Sequence, residues 1–167
     1  MVVLSPCGND SILHLLISCT YTFCLYFISI PDEGIDYRTL IESQDVDALT
    51  NAMSTATLFN VCNTNISVED TRNITKALSG NNTISVIHLV HNDIDDESAK
   101  ELCAALVNND TITSIRLIST RIGDAIINGI AAALSKNTSV TTLDLTSNKI
   151  GTYGNLVLVD VLVQIKL

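Results

Sequence analysis

A period of 28 residues runs through the second half of the chain. Three copies open at Ile84, Ile112 and Val140, and a weaker copy in the same register begins at Ala56. A repeat of this length forms one supersecondary unit, which buries its apolar side only by stacking on its neighbours. The period therefore predicts a solenoid. The recurring apolar positions are Ile87, Leu89 and Ile94; Ile115, Leu117 and Ile122; and Leu143, Leu145 and Ile150.

Each repeat divides into a strand and a helix. Its first half alternates in polarity, as a strand does, and its second half has apolar residues at helical spacing. Ser67, followed by Asp70 three residues later, predicts a capped helix start. Alternating strands and helices predict an α/β fold. The helical halves share apolar columns at Ile74, Leu102, Ile130 and Leu158, and at Ala77, Ala105, Ala133 and Val161.

The ninth position of the repeat is asparagine or threonine. Asn92 and Asn148 hold it in two copies, and Thr64 and Thr120 hold it in the others. At this position the chain leaves the strand and turns, so an amide side chain can satisfy backbone groups that the sheet does not reach. We expect the two threonine turns to be weaker, because a hydroxyl supplies only part of that bonding.

The repeat segments resemble leucine-rich repeats of the ribonuclease-inhibitor subtype. The resemblance is carried by SVTTLDLTSNKIG (139–151), TITSIRLISTRIGD (111–124) and the helix end AALSKNTSV (132–140), and it covers residues 44–167. It implies a curved solenoid with parallel strands on the concave face and helices on the convex face. Similar repeats occur in NOD-like receptors, Ran GTPase-activating proteins and tropomodulins, where the array is chiefly a protein-binding surface.

Three segments follow from this reading. Residues 56–167 hold four repeats, and residues 32–55 form a helical N-terminal cap, with one helix expected over 36–53. Residues 1–31 are a hydrophobic segment, of which 12–30 contain no charged residue. Nineteen uncharged residues are just long enough to span a bilayer, but no basic residue precedes them, which is atypical of a signal peptide. A signal, a membrane anchor and an extension packed on the solenoid all remain open.

The expected binding surface consists of the strand residues that lie between the core positions and point into the concave face. A stripe of apolar residues flanking a few charges is typical of a binding groove. We expect a protein partner to bind there. The predicted partner-binding residues are Leu58, Val86, Ser114 and Thr142; Asn60, His88, Arg116 and Asp144; and Val90 and Ile118.

Composition narrows the function further. The net charge of −9 argues against a nucleic-acid partner, and five scattered cysteines predict neither a disulfide framework nor a metal site. No arrangement of catalytic residues or phosphate loop is recognisable, so we expect neither an enzyme nor a cofactor. The alternatives are a Ran-type GTPase activator using Arg121, a tropomodulin-like cap of actin filaments, or a fragment of a larger repeat receptor.

The expected compartment is the cytoplasm, with a secreted or membrane-anchored protein as the alternative. Five Asn-x-Ser/Thr sequons begin at Asn65, Asn73, Asn81, Asn109 and Asn137, and three of them recur with the repeat period. If residues 12–30 direct the chain to the secretory route, these loops become candidates for glycosylation. The helix after Gly151 is unusually apolar for an outermost unit, which predicts that a further repeat, another protein or a membrane covers it.

Overall fold

Eleven elements make up the described part of the chain. The computed structural model describes residues 14–16 and 34–164, with side chains described over 34–160. Helices and strands alternate along most of this length. In chain order the elements are β1 (His14–Leu16), α1 (Tyr37–Glu42), α2 (Val46–Met53), β2 (Leu58–Cys62), α3 (Val68–Leu78), β3 (Val86–Val90), α4 (Asp96–Val107), β4 (Ser114–Ile118), α5 (Asp124–Leu134), β5 (Thr142–Asp144) and α6 (Thr152–Gln164).

The strands form one parallel sheet in the order β1-β5-β4-β3-β2. Leu58 pairs with Val86, Val86 with Ser114 and Ser114 with Thr142, so each step from β2 to β5 is one 28-residue repeat. Equivalent residues of successive repeats are therefore direct neighbours. This register confirms the predicted α/β solenoid.

The hydrophobic core lies between the sheet and the helix layer. Strand residues such as Phe59, Leu89 and Ile115 alternate with residues of the opposite face and pack against the helices. Ile84 and Ile112, which open two of the repeats, are completely buried. The helix columns predicted from the sequence supply the other side of this core at Ile74, Ala77, Leu78, Leu102, Leu106, Ile130, Ala133, Leu134 and Leu158.

Asparagine side chains hold the turns that follow the strands, as the sequence predicted. The Asn92 amide donates to Val61 O at 2.8 Å, and its Oδ1 accepts from Thr64 N at 2.9 Å. Asn148 likewise accepts from Thr120 N and Ile122 N at 3.0 Å. In both cases the asparagine satisfies backbone groups of the preceding repeat. Asn92 therefore joins the first repeat to the second, and Asn148 joins the third to the fourth.

A second set of asparagines holds the other edge of the solenoid, where each helix returns to the next strand. Oδ1 of Asn109 accepts from Thr111 N and Ile112 N at 3.0 and 2.8 Å, and its amide donates to Asn81 O. Asn81 and Asn137 make the equivalent bonds one repeat earlier and later. These asparagines both shape the turn and fix the distance between repeats.

The N-terminal cap differs from the single helix expected over 36–53. Two helices, α1 and α2, are separated at Gln44, which adopts a left-handed backbone with φ of 57°. Ser43 is the C-cap of α1, and the carboxylate of Asp45 caps the start of α2 by accepting from Ala48 N at 2.9 Å. The cap still covers the first repeat, since the ring of Tyr37 packs edge-on against Phe59 with centroids 4.8 Å apart.

The last described helix, α6, exposes large apolar side chains. Tyr153, Leu156 and Val159 are 57%, 61% and 45% exposed. Val159 is one period beyond Ala131 and Cys103, both of which are buried by the helix of the following repeat. Its exposure shows that nothing in the described chain covers the outer side of α6, and a covering repeat, protein or membrane stays a prediction.

Residues 12–30 lie outside the described residues, apart from the backbone of β1. Within the described ranges, none of the helices is long and apolar enough to cross a bilayer. The question of a signal or membrane anchor in residues 12–30 therefore stays a prediction.

The turn asparagines lead to a test of stability. Asn148→Ala removes the acceptor for the Thr120 and Ile122 amides, so we expect it to lower the free energy of unfolding by about 3 kcal/mol. Thr120→Asn should raise it by about 1 kcal/mol, because an amide at this position can also bond the turn of the second repeat. Urea unfolding measures both changes. The exposed Asn82 is the control, and an Asn148→Ala protein as stable as Asn82→Ala would contradict the assignment.

Candidate protein-binding face

Strand side chains that point away from the helices form three rows across the sheet. The strand register places residues of equal position side by side, as the sequence predicted. The rows differ in chemistry: the middle row is polar and charged, and its neighbours are largely apolar. The first row is Leu58, Val86, Ser114 and Thr142; the middle row is Asn60, His88, Arg116 and Asp144; and the carboxyl-end row is Cys62, Val90 and Ile118, followed by Thr146 in the turn after β5.

The side chains of these rows are less exposed than expected for the uncovered concave face of a solenoid. In the first row Val86, Ser114 and Thr142 are half-buried and therefore partly accessible, whereas Leu58 is buried, with 8% of its surface exposed. In the carboxyl-end row Val90 and Ile118 are buried, with 6% and 3% of their surface exposed. The repeat pattern predicted which residues share the face, but it carries no signal for this difference between the rows.

The middle row brings a histidine, an arginine and a carboxylate onto adjacent strands. His88 pairs in register with Arg116, and Arg116 with Asp144. Asp144 is buried, and its Oδ1 accepts from Thr146 N at 2.9 Å, which orients the carboxylate along its own strand. Arg116 is half-buried and is the positive charge of the row. Since His88 and Asp144 are each 4% exposed, Arg116 is the most exposed group of these three.

His88 is held neutral at neutral pH. Burial, together with the smaller effect of the neighbouring positive charge of Arg116, lowers the pKa of its imidazole from 6.5 to about 4. Within the described part of the chain, Nε2 of His88 has no hydrogen-bond partner. A buried polar atom of this kind costs free energy when nothing bonds to it, so His88 is a destabilising feature of the described fold.

Arg121, the residue that suggested a GTPase activator, lies in the turn after β4. Its backbone is left-handed with φ of 61°, and its exposed guanidinium pairs with the carboxylate of Asp93 on the preceding repeat. The guanidinium of Arg121 therefore already has an ion-pair partner, Asp93, within its own chain. The structure adds no feature that favours a catalytic role for Arg121.

The described cysteines are free thiols. Cys103 is buried between α4 and α5, and burial raises the pKa of its thiol to about 11, which keeps it protonated and unreactive. Across residues 34–160, no group of three or more potential metal ligands comes together.

Most of the sequon asparagines are structural. Asn109 and Asn137 are 8% and 9% exposed and donate their amides to backbone carbonyls, and Asn73 donates its amide to Gln44 Oε1 at 2.8 Å. A glycan on these nitrogens is incompatible with the folded chain. Among the five sequons only Asn65 has an exposed side chain, so the repeat, and not secretion, accounts for the recurring motif.

Comparison with known proteins agrees with the repeat architecture. A family model described as Leucine Rich repeat matches residues 80–103 and 136–154. A solved structure titled "Leiomodin-1 Actin-Binding Site 2 (ABS2)" is similar over 71% of this chain and 70% of that chain, with 27% sequence identity and a TM-score of 0.63. No curated protein sequence matches the chain.

The buried imidazole predicts a stability that depends on pH. The folded chain holds His88 neutral down to about pH 4, whereas the unfolded chain binds a proton near pH 6.5. Above pH 6.5 His88 is neutral in both states and does not lower the free energy of unfolding. As the pH falls from 6.5 toward 4, protonation of the unfolded chain lowers the free energy of unfolding by at most about 1.4 kcal/mol per pH unit. His88→Gln should lose less stability between pH 6.5 and 4 than the natural chain, as measured by urea unfolding. Equal losses in both proteins would contradict this role.

Proposed function

Because the chain is a leucine-rich-repeat protein of the ribonuclease-inhibitor-like subtype, we propose that it is a protein-interaction module whose partner is actin. The observation that carries the choice of partner is the similarity to the leiomodin-1 domain, which is titled an actin-binding site and is matched over more than two thirds of both chains. Repeat proteins of this build present a preformed surface, which supports recognition over catalysis.

The concave face is the proposed contact surface. Its first row is half-buried at Val86, Ser114 and Thr142, and the neighbouring Arg116 supplies a positive charge. Arginine beside partly buried apolar groups is enriched where protein interfaces gain most of their binding energy. These side chains stand on strands held in register by the sheet, so little conformational entropy is lost when a partner binds.

A cytoplasmic location is part of the same proposal. Cys62 and Cys103 are free thiols, which suits a reducing compartment. Buried sequon asparagines such as Asn109 and Asn137 support it, because their amides belong to the fold and not to a glycan. Actin as partner requires the same compartment.

Actin binding by the full chain is the direct test. We expect the natural chain to sediment with actin filaments, and Arg116→Glu to bind about ten-fold more weakly, because the substitution reverses the charge at the centre of the face. Lys136→Glu, at the exposed end of α5, changes the charge equally and should bind like the natural chain. Far-ultraviolet circular dichroism confirms that both variants are folded.

Two different outcomes distinguish a wrong choice of partner from a wrong choice of binding surface. A natural chain that fails to sediment with filaments and leaves their elongation unchanged would exclude actin as the partner. A natural chain that binds while Arg116→Glu and Lys136→Glu bind equally well would retain actin and exclude the concave face.

A further inference from the structure

The helix α6 carries an exposed apolar stripe. Tyr153, Leu156 and Val159 are 57%, 61% and 45% exposed. Residues three apart in a helix lie about 60° apart around its axis, so these three side chains form one stripe about 120° wide with Leu156 at its centre. We call this surface the outer stripe. Thr152 and Asp160 are exposed beside it, and Asp160 is the one charged residue among residues 152–160.

A further repeat would cover only part of the outer stripe. Val159 occupies a position that the following helix buries in both α4 and α5. Tyr153 and Leu156, in contrast, are one period beyond Ala125 and Asn128, which stay exposed on α5 although α6 packs beside that helix. These two positions therefore point away from the solenoid. An occupant that covers the whole outer stripe must approach from the outer side of the helix layer.

The residue types at these outward positions change along the solenoid. The equivalent positions of α4 hold the exposed Glu97 and Lys100, as expected for a surface in water, whereas α6 has a tyrosine and a leucine there. A cluster of large exposed apolar side chains is typical of an interaction site. The adjacent outer surface of α5 holds Ala125, Asn128 and Ala132, which are exposed, uncharged and small. They leave the outer stripe open to a second helix.

A membrane is a poor match for the outer stripe. Helices that lie in a membrane surface carry Lys and Arg on their polar side, which attract anionic lipids. Residues 152–160 contain neither of these residues, Asp160 is exposed beside the stripe, and the chain has a net charge of −9. The chemistry of the stripe instead fits a protein surface that is apolar and offers a hydrogen-bond donor to Asp160.

A second copy of α6 in antiparallel orientation meets both requirements. With a two-fold axis at Leu156, the two Leu156 side chains meet at the centre of the pair. Tyr153 precedes Leu156 by three residues, Asp160 follows it by four, and the helical rotation places both on the same side of the stripe. Antiparallel pairing therefore brings the Tyr153 hydroxyl of each copy beside the Asp160 carboxylate of the other, which can accept its hydrogen bond. On the opposite side of the stripe, Val159 of each copy meets Thr152 of the other.

The charge of Asp160 selects this orientation. In a parallel pair the two Asp160 carboxylates would lie at the same level, where like charges repel. In the antiparallel pair each Asp160 is four residues, or about 6 Å, from the two-fold axis, so the carboxylates are about 12 Å apart along the helices.

From these observations we propose that the chain forms an antiparallel homodimer through the outer stripe of α6. A stable interface contains roughly 20–30 residues a side, and the outer stripe supplies far fewer, so the dimer is weak and dissociates on dilution. The helix layer separates this interface from the concave face, so a dimer presents two partner-binding faces. The inference is independent of whether the partner is actin.

Sedimentation velocity of the full chain under reducing conditions tests the proposal. We expect the average mass to rise from monomer toward dimer between about 10 µM and about 1 mM. Leu156→Glu places two carboxylates at the centre of the pair and should weaken dimerisation at least about ten-fold. Ala104→Glu, on the exposed surface of α4, adds the same charge away from the stripe and should dimerise like the natural chain. Both substitutions are at exposed positions, and circular dichroism confirms that the variants are folded.

Disulfide trapping between two variants tests the orientation. Chains with Tyr153→Cys are mixed with chains with Asp160→Cys, which leaves the second Tyr153–Asp160 pair of the mixed dimer intact. We expect disulfides that join position 153 of one copy to position 160 of the other. Proteolysis and mass spectrometry assign the linked positions, so the native cysteines can stay in place.

Four results would overturn the proposal. A natural chain that stays monomeric at about 1 mM excludes the dimer, and equal dimerisation of Leu156→Glu and Ala104→Glu excludes the outer stripe as its interface. Disulfides between two copies of position 153, without any from 153 to 160, would exclude the antiparallel orientation. A monomeric chain that sediments with phosphatidylcholine vesicles, and loses this binding in Leu156→Glu, would assign the outer stripe to a membrane.

Discussion

The hydrogen bonds of buried and half-buried asparagine side chains are the constraint on which the rest of the structure depends. A solenoid has two edges where the backbone leaves regular structure in every repeat, and the backbone groups there need partners. Asn92 and Asn148 supply them after the strands, and Asn81, Asn109 and Asn137 supply them before the strands. Each of these amides also bonds the neighbouring repeat, so turn shape and repeat spacing are set together.

The surface for recognition follows from that spacing. With equivalent residues in direct register, side chains of successive repeats form rows, and a difference at one position changes the chemistry of a whole row. The histidine, arginine and aspartate of the middle row are such differences: His88, Arg116 and Asp144 occupy one position in three repeats. A row built this way can vary in charge and shape while the apolar residues that hold the helices stay unchanged.

Periodicity explains what could be predicted from the sequence. The 28-residue period predicted the strands, the apolar positions of the helices, the turn asparagines and the members of each row on the concave face, because all of these recur every 28 residues. The break of the cap at Gln44 and the burial of Val90 and Ile118 were not predictable in this way. The cap occurs once, and its break depends on Asp45 capping α2. Val90 and Ile118 occupy the same strand position, and the repeat pattern carries no signal for how far that position is exposed.

The most direct measurement of the central claim is amide hydrogen exchange at the turns before the strands. The Ile112 amide donates to Asn109 Oδ1 at 2.8 Å and lies outside the strands. The account predicts that it exchanges as slowly as the amide of Ile115 within β4, and that Asn109→Ala accelerates exchange at Ile112 and in the neighbouring repeat together. An Ile112 amide that exchanges as fast as an exposed loop in the natural chain would contradict the account.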